Sequence, residues 1–308
     1  MKITLVTVCF KSVATLRTAM ESVWRQRGAE VEYIVVDGGS TDGTVEILEA
    51  FEKRVAAADD SARAHFSFRW LSERDKGMYD AMNKGIRMAT GDVIGILNAD
   101  DVLTADDTLA KVAAAFDADP TLDGTYADIR FVREIGGPTV RYCSGRLFRP
   151  WMFRFGTQTA HPSTFFRRGC FSRWGEYSLN YGMYADFDLL LRFIWNRHAK
   201  MRYLPLCTTE MLLGGASTDG WRTTLKINRT DRKILRDNGR YTNYLFLYAR
   251  YLFKLWGFVV RKNCSCYRPM NRSSPSSAVA GCGGQPGMKR SGSGTTSDVP
   301  FRTSGEPA

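Results

Sequence analysis

Short apolar segments alternate with longer amphipathic segments over the first 120 residues, and this alternation constrains the fold more than any other feature. The apolar segments predict β-strands at 3–8, 32–37, 66–72 and 92–97. The intervening segments predict α-helices at 12–25, 44–55, 79–89 and 107–118. Strands that alternate with helices are joined by crossover connections, which produce a parallel sheet with helices on both faces. We therefore predict an α/β fold for this half of the chain.

The second half of the chain has a less regular pattern. Short strands are predicted at 125–132, 163–168 and 201–206, around one strong helix at 186–197. The segment 222–262 has helical spacing and contains eleven Lys and Arg residues against two acids, so it carries most of the net charge of +11. Residues 263–308 are rich in Gly, Ser and Pro with few large apolar side chains, so we expect a disordered tail.

Aromatic side chains accompany the basic ones at the end of this helical region. Between 241 and 262 they are interleaved with Arg250, Lys254, Arg261 and Lys262. The segment is too interrupted for the roughly 20 apolar residues that span a bilayer, but it suits an amphipathic helix in the headgroup region. The alternative is a helix that packs on the domain with its basic residues in solvent. We predict contact with an anionic membrane surface.

Cysteine usage and the first residues indicate the cytoplasm. The seven cysteines are scattered and odd in number, and Cys264 and Cys266 are too closely spaced for a zinc knuckle. The start of the chain, MKITLVTVCF, has one basic residue and no small-residue cleavage site, so we interpret it as a strand and not as a secretory signal. We expect a cytoplasmic protein that is peripheral on the cytoplasmic face of the inner (plasma) membrane.

Acidic residues follow two of the predicted strands. Asp37 ends the second strand, and Asn98, Asp100 and Asp101 follow the fourth. In parallel sheets ligands bind beyond the carboxyl ends of the strands, so we expect these side chains to face one crevice. Crowded carboxylates repel one another unless a cation, a hydrogen-bonding ligand or water relieves them, and the residues alone leave these three possibilities open.

The loop VVDGGSTDGT (35–44) matches the sequence pattern of a phosphate-binding loop only in part. Gly38 and Gly43 have P-loop spacing, but Thr44 and Val45 stand where Lys and Ser or Thr are required. The turn after the first strand, TVCFKS, has no glycine and therefore lacks the dinucleotide-binding fingerprint. A tight turn that begins a helix explains the glycines, but it leaves Asp37 unexplained.

Three ordered motifs resemble a known family. The segments VTVCFKSVATLRTAMESVWRQ, EYIVVDGGSTDGT and SERDKGMYDAMNKGIRMATGDVIGILNADD are similar to those of family 2 glycosyltransferases with the GT-A fold. The nearest likeness is to bacterial enzymes that add single sugars during surface polysaccharide or glycolipid assembly. The resemblance covers about residues 1–217 and implies a mostly parallel central sheet flanked by helices.

The resemblance also implies a division of the chain. A glycosyltransferase domain at 1–218 would consist of a nucleotide-binding half at 1–120 and an acceptor and catalytic half at 121–218. The basic amphipathic helical region at 219–262 and the disordered tail at 263–308 would follow.

Site residues are implied at matching positions. The resemblance places Asp37 against the nucleotide base near Thr7 and Cys9, and it places four residues along the nucleotide-sugar pocket: Asp75, Gly77, Asp80 and Asn83. The run NADD stands where the family has Asp-x-Asp, with Asn98 in place of the first acid and able to bond a ribose hydroxyl. Asp100 would then bind Mg²⁺ or Mn²⁺ together with the donor phosphates, with Asp101 nearby.

The segment YADFDLLLRFIW (184–195) resembles the family's catalytic element and implies that Asp186 is the general base. Asp188 is explained by the helix dipole alone. His161 stands where the family has a residue near the donor phosphates or acceptor, although a histidine before proline is often structural. Gly214 and Gly215 match a flexible loop of the same subgroup, and an ordinary turn explains them equally well.

These features together predict an inverting, metal-dependent transferase. It would move one sugar from a nucleoside-diphosphate sugar to a hydroxyl acceptor, such as a lipid-linked saccharide or another glycolipid. A processive synthase is disfavoured because the Gln-x-x-Arg-Trp element and spanning helices are missing from the sequence. The alternatives are a nucleotidyltransferase and a non-catalytic membrane-associated protein of the same fold. Nucleic-acid binding is not expected, because no stacking motif or recognition helix accompanies the basic segment.

Overall fold

The fold is built on one nine-stranded sheet, seen in a computed structural model that describes residues 1–60, 64–213 and 220–250. The predicted tail at 263–308, the end of the basic segment and the glycines 214 and 215 lie outside the described residues. Within those ranges, no helix is both long enough and apolar enough to cross a membrane.

The elements follow the predicted alternation in the first half. The strands are β1 (Lys2–Cys9), β2 (Glu30–Asp37), β3 (Phe66–Ser72), β4 (Val93–Ile96), β5 (Val102–Leu103), β6 (Gly124–Val132), β7 (Thr139–Cys143), β8 (Thr164–Arg167) and β9 (Met201–Leu212). The α-helices are α1 (Leu16–Trp24), α2 (Thr44–Ala56), α3 (Met78–Met88), α4 (Thr108–Asp117), α5 (Arg168–Trp174), α6 (Ala185–Leu190) and α7 (Gly220–Asp237). A further helix begins at 244 and is described to 250.

The predicted α/β fold class is confirmed. The strand order is β3-β2-β1-β4-β8-β6-β9-β5, with β7 paired to β6 at the side. The first four strands are parallel, whereas β8 joins β4 and β6 in antiparallel pairs and only β9 runs parallel to β6. The regular crossover pattern of the first half therefore produces the parallel part of the sheet, and the irregular second half produces the mixed part.

Successive side chains of β1 and β2 enter two different cores, because side chains alternate between the faces of a sheet. Val6, Val8 and Ile34 pack with α3 and α6 on one face, while Leu5 and Tyr33 pack with α1, α2 and α4 on the other. Both faces are apolar, so these strands are almost completely buried. Helices cover both faces, as expected for parallel strands.

The described part of the basic C-terminal region packs against the second half of the sheet domain. Ile234 and Leu235 of α7, with Leu247 of the following helix, lie in the same core as α6. Arg250 donates to Asp231 on α7 at 2.8 Å and to the carbonyl oxygen of Gly156 at 2.8 Å. The described part of this region thus packs on the domain, and its last described residue is tied to the loop that follows 150–155, a 3₁₀ helix.

Candidate active site

The carboxyl ends of the four parallel strands bring the first group of predicted site residues to one edge of the sheet. Cys9 pairs with Asp37 across β1 and β2, and Asp37 pairs with Ser72 across β2 and β3. The amide of Leu97, which precedes the NADD run, donates to the carbonyl oxygen of Val6 at 2.9 Å. The sheet therefore juxtaposes the loops that follow all four strands, as the sequence predicted.

Asp37 is buried at this edge and organises the loop after β2. Its carboxylate accepts hydrogen bonds from the Ser40 amide at 2.8 Å, the Ser40 hydroxyl at 2.5 Å and the Ser72 hydroxyl at 2.7 Å. Burial opposes ionisation of this carboxyl, but these donors outweigh it and lower its pKa. Asp37 is therefore an anionic anchor of the loop, and its contact with a nucleotide base stays a prediction.

Thr7 and Cys9, the two predicted site residues of β1, lie in different surroundings. Thr7 is buried and accepts a hydrogen bond from the Tyr33 hydroxyl at 3.1 Å. Cys9 donates its thiol to Asp37 at 3.6 Å. Burial and the adjacent Asp37 carboxylate raise the pKa of the Cys9 thiol, so this group is a neutral neighbour of the loop and not a reactive thiolate.

The loop before α3 lies against the Asp37 loop. A Cβ atom at Gly38 would lie 2.8 Å from Oδ2 of Asp75, so any larger residue at this position would have to displace the Asp75 side chain. Gly77 has a φ of 117° at the start of α3, a conformation that L side chains rarely adopt. Asp80, in the first turn of α3, accepts from the Lys76 amide at 3.0 Å and fixes the same loop.

The NADD run after β4 forms a tight turn with one buried and one partly exposed carboxyl. Asn98 donates its side-chain amide to Asp101 at 2.8 Å. Burial, with a contribution from the nearby Asp100 carboxylate, raises the pKa of Asp101 to about 8. Asp100 is only partly buried and has no hydrogen bond or ion pair through its side chain within the described ranges. Asp100 is thus the carboxylate that the turn leaves available.

Asp186 lies at the start of α6, where two side chains from distant segments hold its carboxylate. Oδ1 lies 3.2 Å from the hydroxyl of Tyr79 on α3, and Oδ2 accepts from the amide of Gln158 at 2.9 Å. Burial and the Asp186 carboxylate raise the pKa of Tyr79, so its hydroxyl stays protonated. An ionised carboxylate has about four lone-pair directions, so two remain for a substrate hydroxyl.

A second layer of contacts supports this carboxylate. His161 lies 2.5 Å from the hydroxyl of Tyr177, and the Tyr177 ring lies 5.2 Å from the ring of Tyr79. Burial lowers the pKa of His161, although the nearby Asp186 carboxylate works against this shift. Asn83 exchanges two hydrogen bonds of 2.9 Å with the backbone of Tyr177. His161 and Asn83 are therefore both built into the surroundings of Asp186 through Tyr177.

The segment from Asp75 to Asn83 connects the strand edge with the Asp186 cluster. Asp75 contacts the Asp37 loop, and four residues later Tyr79 contacts Asp186. Sequence reasoning missed Tyr79, Gln158 and Tyr177 as site residues. Tyr79 stands inside a quoted motif, DKGMYDAMNKG, but nothing in the sequence marked Gln158 or Tyr177.

Asp188, which sequence reasoning explained by the helix dipole, has a structural role. Its carboxylate pairs with Arg192 at 2.8 Å and accepts from the Asn238 amide at 2.9 Å. Asp188 thus joins α6 to α7, and it is buried where Asp186 is partly exposed. Of the two acids at the start of this helix, only Asp186 is open to a substrate.

Comparison with known proteins assigns the chain to a family. The family model described as glycosyl transferase family 2 matches residues 4–174. A PGL/p-HBAD biosynthesis glycosyltransferase from Mycobacterium bovis is 34% identical over 193 residues, which make up 62% of this chain and 69% of that relative. The chain therefore belongs to glycosyl transferase family 2 and is a glycosyltransferase, so the predicted resemblance is confirmed.

Solved structures show the same GT-A fold at low sequence identity. S. aureus TarS 1–349 in complex with UDP-GlcNAc superposes with a TM-score of 0.54 at 16% identity, over 77% of this chain and 71% of that one. The mannosyltransferase PcManGT from Pyrobaculum calidifontis, in complex with GDP-Man and Mn²⁺, gives 0.52 at 15% identity, over 84% and 80%. A longer TarS chain gives 0.54 at 18% identity, and the present chain spans 43% of its length.

Proposed function

We propose that this protein is an inverting glycosyltransferase that moves one sugar from a nucleoside-diphosphate sugar to a hydroxyl group of a lipid-linked saccharide or another glycolipid. The observation that carries the proposal is the Asp186 carboxylate, which Tyr79 and Gln158 orient at 3.2 and 2.9 Å beside the segment that contacts the Asp37 loop. Family membership supports sugar transfer, and it favours this function over a nucleotidyltransferase.

The chemistry follows from the position of this base. Asp186 accepts the proton of the acceptor hydroxyl while that oxygen attacks the anomeric carbon of the sugar. The bond between the anomeric carbon and the diphosphate oxygen breaks at the same time, and the nucleoside diphosphate leaves with the electron pair. A single in-line displacement of this kind inverts the configuration at the anomeric carbon.

The donor set after β4 fits a divalent cation that arrives with the donor. Asp100 supplies a partly exposed carboxylate, with the buried Asp101 carboxyl next to it in the turn. No cluster of three or more His, Cys, Asp or Glu side chains suited to a metal occurs in the described part of the chain. Mg²⁺ and Mn²⁺ sites in nucleotide enzymes commonly use one or two carboxylates and complete their shell with phosphates and water. When bound, the cation supplies positive charge for the departing diphosphate.

We assign the donor pocket to the strand edge. Thr7, Cys9, Asp37, Asp75, Gly77, Asp80, Asn83 and Asn98 stay our predictions for the nucleotide-sugar contacts. His161 and the glycines 214 and 215 are proposed to serve the acceptor or the donor phosphates. TarS with UDP-GlcNAc and PcManGT with GDP-Man support the class of donor, and the sequence and fold leave its base and sugar open.

The proposed acceptor is membrane-bound, and the basic C-terminal region supports this. Its described part has seven Lys and Arg residues between 222 and 240 and only two acids. One of those acids, Asp231, is buried against Arg250 and neutralised. The surplus of positive charge favours an anionic membrane surface, in agreement with a peripheral location on the cytoplasmic face.

A panel of UDP-, GDP- and dTDP-sugars tests the function. We expect one nucleotide sugar to raise the melting temperature of the protein, and Mn²⁺ to increase that shift. The Asp186→Asn variant keeps both shifts but loses sugar transfer and donor hydrolysis. If no nucleotide sugar stabilises the protein in the presence of Mn²⁺, the proposal is wrong.

A further inference from the structure

An apolar surface on the acceptor half is formed by two segments that are distant in sequence. We call it the aromatic face and define it by Leu147, Trp151, Tyr241 and Leu245. Their exposed fractions are 78%, 54%, 67% and 76%, which are high for side chains of this size and polarity. Single exposed apolar residues are common, but a contiguous group of them marks an interaction surface.

Ring contacts connect Trp151 with Tyr241 across the two segments, and Leu147 and Leu245 lie within four positions of these residues in the chain. Trp151 contacts Phe155 with 5.8 Å between ring centroids, Phe155 contacts Phe246 at 5.2 Å, and Phe246 contacts Tyr241 at 6.4 Å. The hydroxyl of Thr242 donates to the carbonyl oxygen of Arg154 at 2.7 Å and joins the backbones of the two segments. The 3₁₀ helix at 150–155 and the helix that begins at 244 thus form one surface.

The helix that begins at 244 buries one charged side chain and exposes large apolar and aromatic ones. Leu247 and Arg250 are turned toward the protein and buried, whereas Leu245 is turned outward. Arg250 is held inside by Asp231 and the Gly156 carbonyl. Tyr244 and Tyr248 are also exposed, by 42% and 41%, so the outward side of this helix presents large apolar surface to water and favours an apolar environment.

The charge around the aromatic face is positive. Residues 141–160 contain four arginines and no acid. Arg146 and Arg149 are exposed next to Leu147, and Arg232 of α7 lies 4.9 Å from the ring of Tyr244. A partner must therefore offer apolar groups and negative charge together. The interfacial region of an anionic bilayer offers both, with acyl chains below a layer of phosphate headgroups.

The aromatic face is connected to the base through a short stretch of backbone. Gln158 lies seven positions after Trp151, and its side-chain amide donates to Asp186 at 2.9 Å. Gly156, between them, has a φ of 68° and is held by Arg250. The same loop thus carries a surface anchor at one end and a partner of the catalytic carboxylate at the other.

We propose that Leu147, Trp151, Tyr241 and Leu245 insert together into the headgroup region of an anionic bilayer. This extends the membrane contact beyond the C-terminal helical region to the loop 146–155. This contact rests on the proposed function. It would bring Asp186 close to the bilayer surface, where the polar head of a membrane-bound acceptor lies.

Vesicle binding of the full-length chain tests the inference without any turnover. The vesicles consist of phosphatidylcholine with or without phosphatidylglycerol, and binding is measured by co-sedimentation. We expect wild-type protein to bind the anionic vesicles and to be released by salt. Trp151→Ser and Leu245→Ser each lower the partition coefficient about 10-fold, because each removes a large apolar side chain from the interface. Val140→Ser changes a side chain that is 46% exposed on β7 and serves as the control.

The experiment distinguishes failure of the proposed function from failure of the proposed membrane contact. Thermal stabilisation by a nucleotide sugar with Mn²⁺ reports the donor site, and all three variants keep it. Vesicle binding that is absent in wild type, or unchanged in Trp151→Ser, overturns the membrane surface and leaves the donor site intact. A wild-type dimer that Trp151→Ser dissociates, without vesicle binding, assigns the aromatic face to a second copy of the chain and also overturns the inference.

Discussion

The hydroxyl group of Tyr79 lies 3.2 Å from Oδ1 of Asp186, although the two residues are 107 positions apart in the chain. The same hydroxyl lies 3.1 Å from the carbonyl oxygen of Met183 and can donate to only one of the two at a time. Tyr79 lies in the first turn of α3, and the loop before this helix contacts Gly38, so one short segment adjoins both the strand edge and Asp186.

Tyr79→Phe is expected to slow transfer without weakening donor binding. The phenyl ring keeps its packing against Tyr177, but the carboxylate loses the hydroxyl 3.2 Å away that can donate to it. A hydrogen bond to a charged group contributes about 1.5–3 kcal/mol, so kcat should fall about 10- to 100-fold. Steady-state kinetics with saturating donor measure the effect.

Tyr142→Phe is the matched control for this change. Its hydroxyl donates to Asp128 at 2.8 Å, a tyrosine–aspartate contact outside the proposed site. This variant should retain the wild-type kcat and lose only stability. Equal losses of kcat in both variants would contradict a positioning role for Tyr79.

The two acids of α6 should respond differently to the same substitution. Asp186→Asn removes the base, and general bases contribute about 10²- to 10⁴-fold to the rate, so transfer should nearly disappear while the melting temperature stays close to wild type. Asp188→Asn weakens the buried contact with Arg192 and should cost about 1–3 kcal/mol of stability. Transfer assays and urea unfolding of both variants test this; a destabilised Asp186→Asn with full activity would reverse the assignment.

Asp100→Ala should remove the dependence of turnover on Mn²⁺. The loss of a ligand that neutralises the diphosphate amounts to several kcal/mol of transition-state stabilisation, so the rate at saturating Mn²⁺ should fall by more than about 100-fold. Initial rates over a range of Mn²⁺ concentrations measure it. Asp106 is an exposed acid 3.7 Å from Arg25, and the Asp106→Ala variant should show the wild-type dependence of rate on Mn²⁺. An unchanged Mn²⁺ dependence in Asp100→Ala would exclude Asp100 as a ligand.

The stability of the fold should decline in acid through Glu32. Burial of this carboxyl opposes its ionisation, but hydrogen bonds from Thr4 and Thr90 and the charge of Arg69 lower its pKa from 4.5 to about 2. A carboxyl that is the stronger acid in the folded state adds stability above pH 4.5, which is lost as the pH falls toward 2.

Glu32→Gln should therefore reduce the loss of unfolding free energy as the pH falls, and it should lower that free energy by about 1–3 kcal/mol at pH 7. Urea unfolding at several pH values measures both effects. Glu30→Gln changes an exposed carboxyl on the same strand, 3.9 Å from Lys2, and should leave the curve unchanged. If the unfolding free energies of the two variants depend on pH in the same way, Glu32 is not responsible for the loss of stability in acid.

The parallel half of the fold could be predicted because local patterns determine it. Both faces of β1 and β2 are buried, and this leaves uninterrupted apolar runs in the sequence. The start of α1 was less predictable: the expected helix begins at 12, but residues 12–15 form a turn whose Ser12 amide bonds to Thr44 at 3.0 Å. That partner is 32 residues away, so local spacing could not reveal it.

The sequence indicated candidate site residues only where they lie in a recognisable motif. Asp37, Asp100 and Asp186 each lie in a motif with several ordered neighbours, whereas Gln158 stands just before the segment of His161 and reaches Asp186 across 28 residues. The different exposure of Asp100 and Asp101 was also hidden, because it depends on how the turn packs and not on residue type. Long-range contacts of this kind are set by tertiary packing, which a single sequence does not display.

The bond from Arg250 to the Gly156 carbonyl has a consequence for how the chain reaches its native state. Ninety-four positions separate the two residues, and the same arginine pairs with Asp231. During translation the local contacts of the first half can form early, whereas the bonds of Arg250 to this loop require residue 250 to have been synthesised. The contacts that hold the loop near Asp186 are therefore completed only after the parallel strands have emerged.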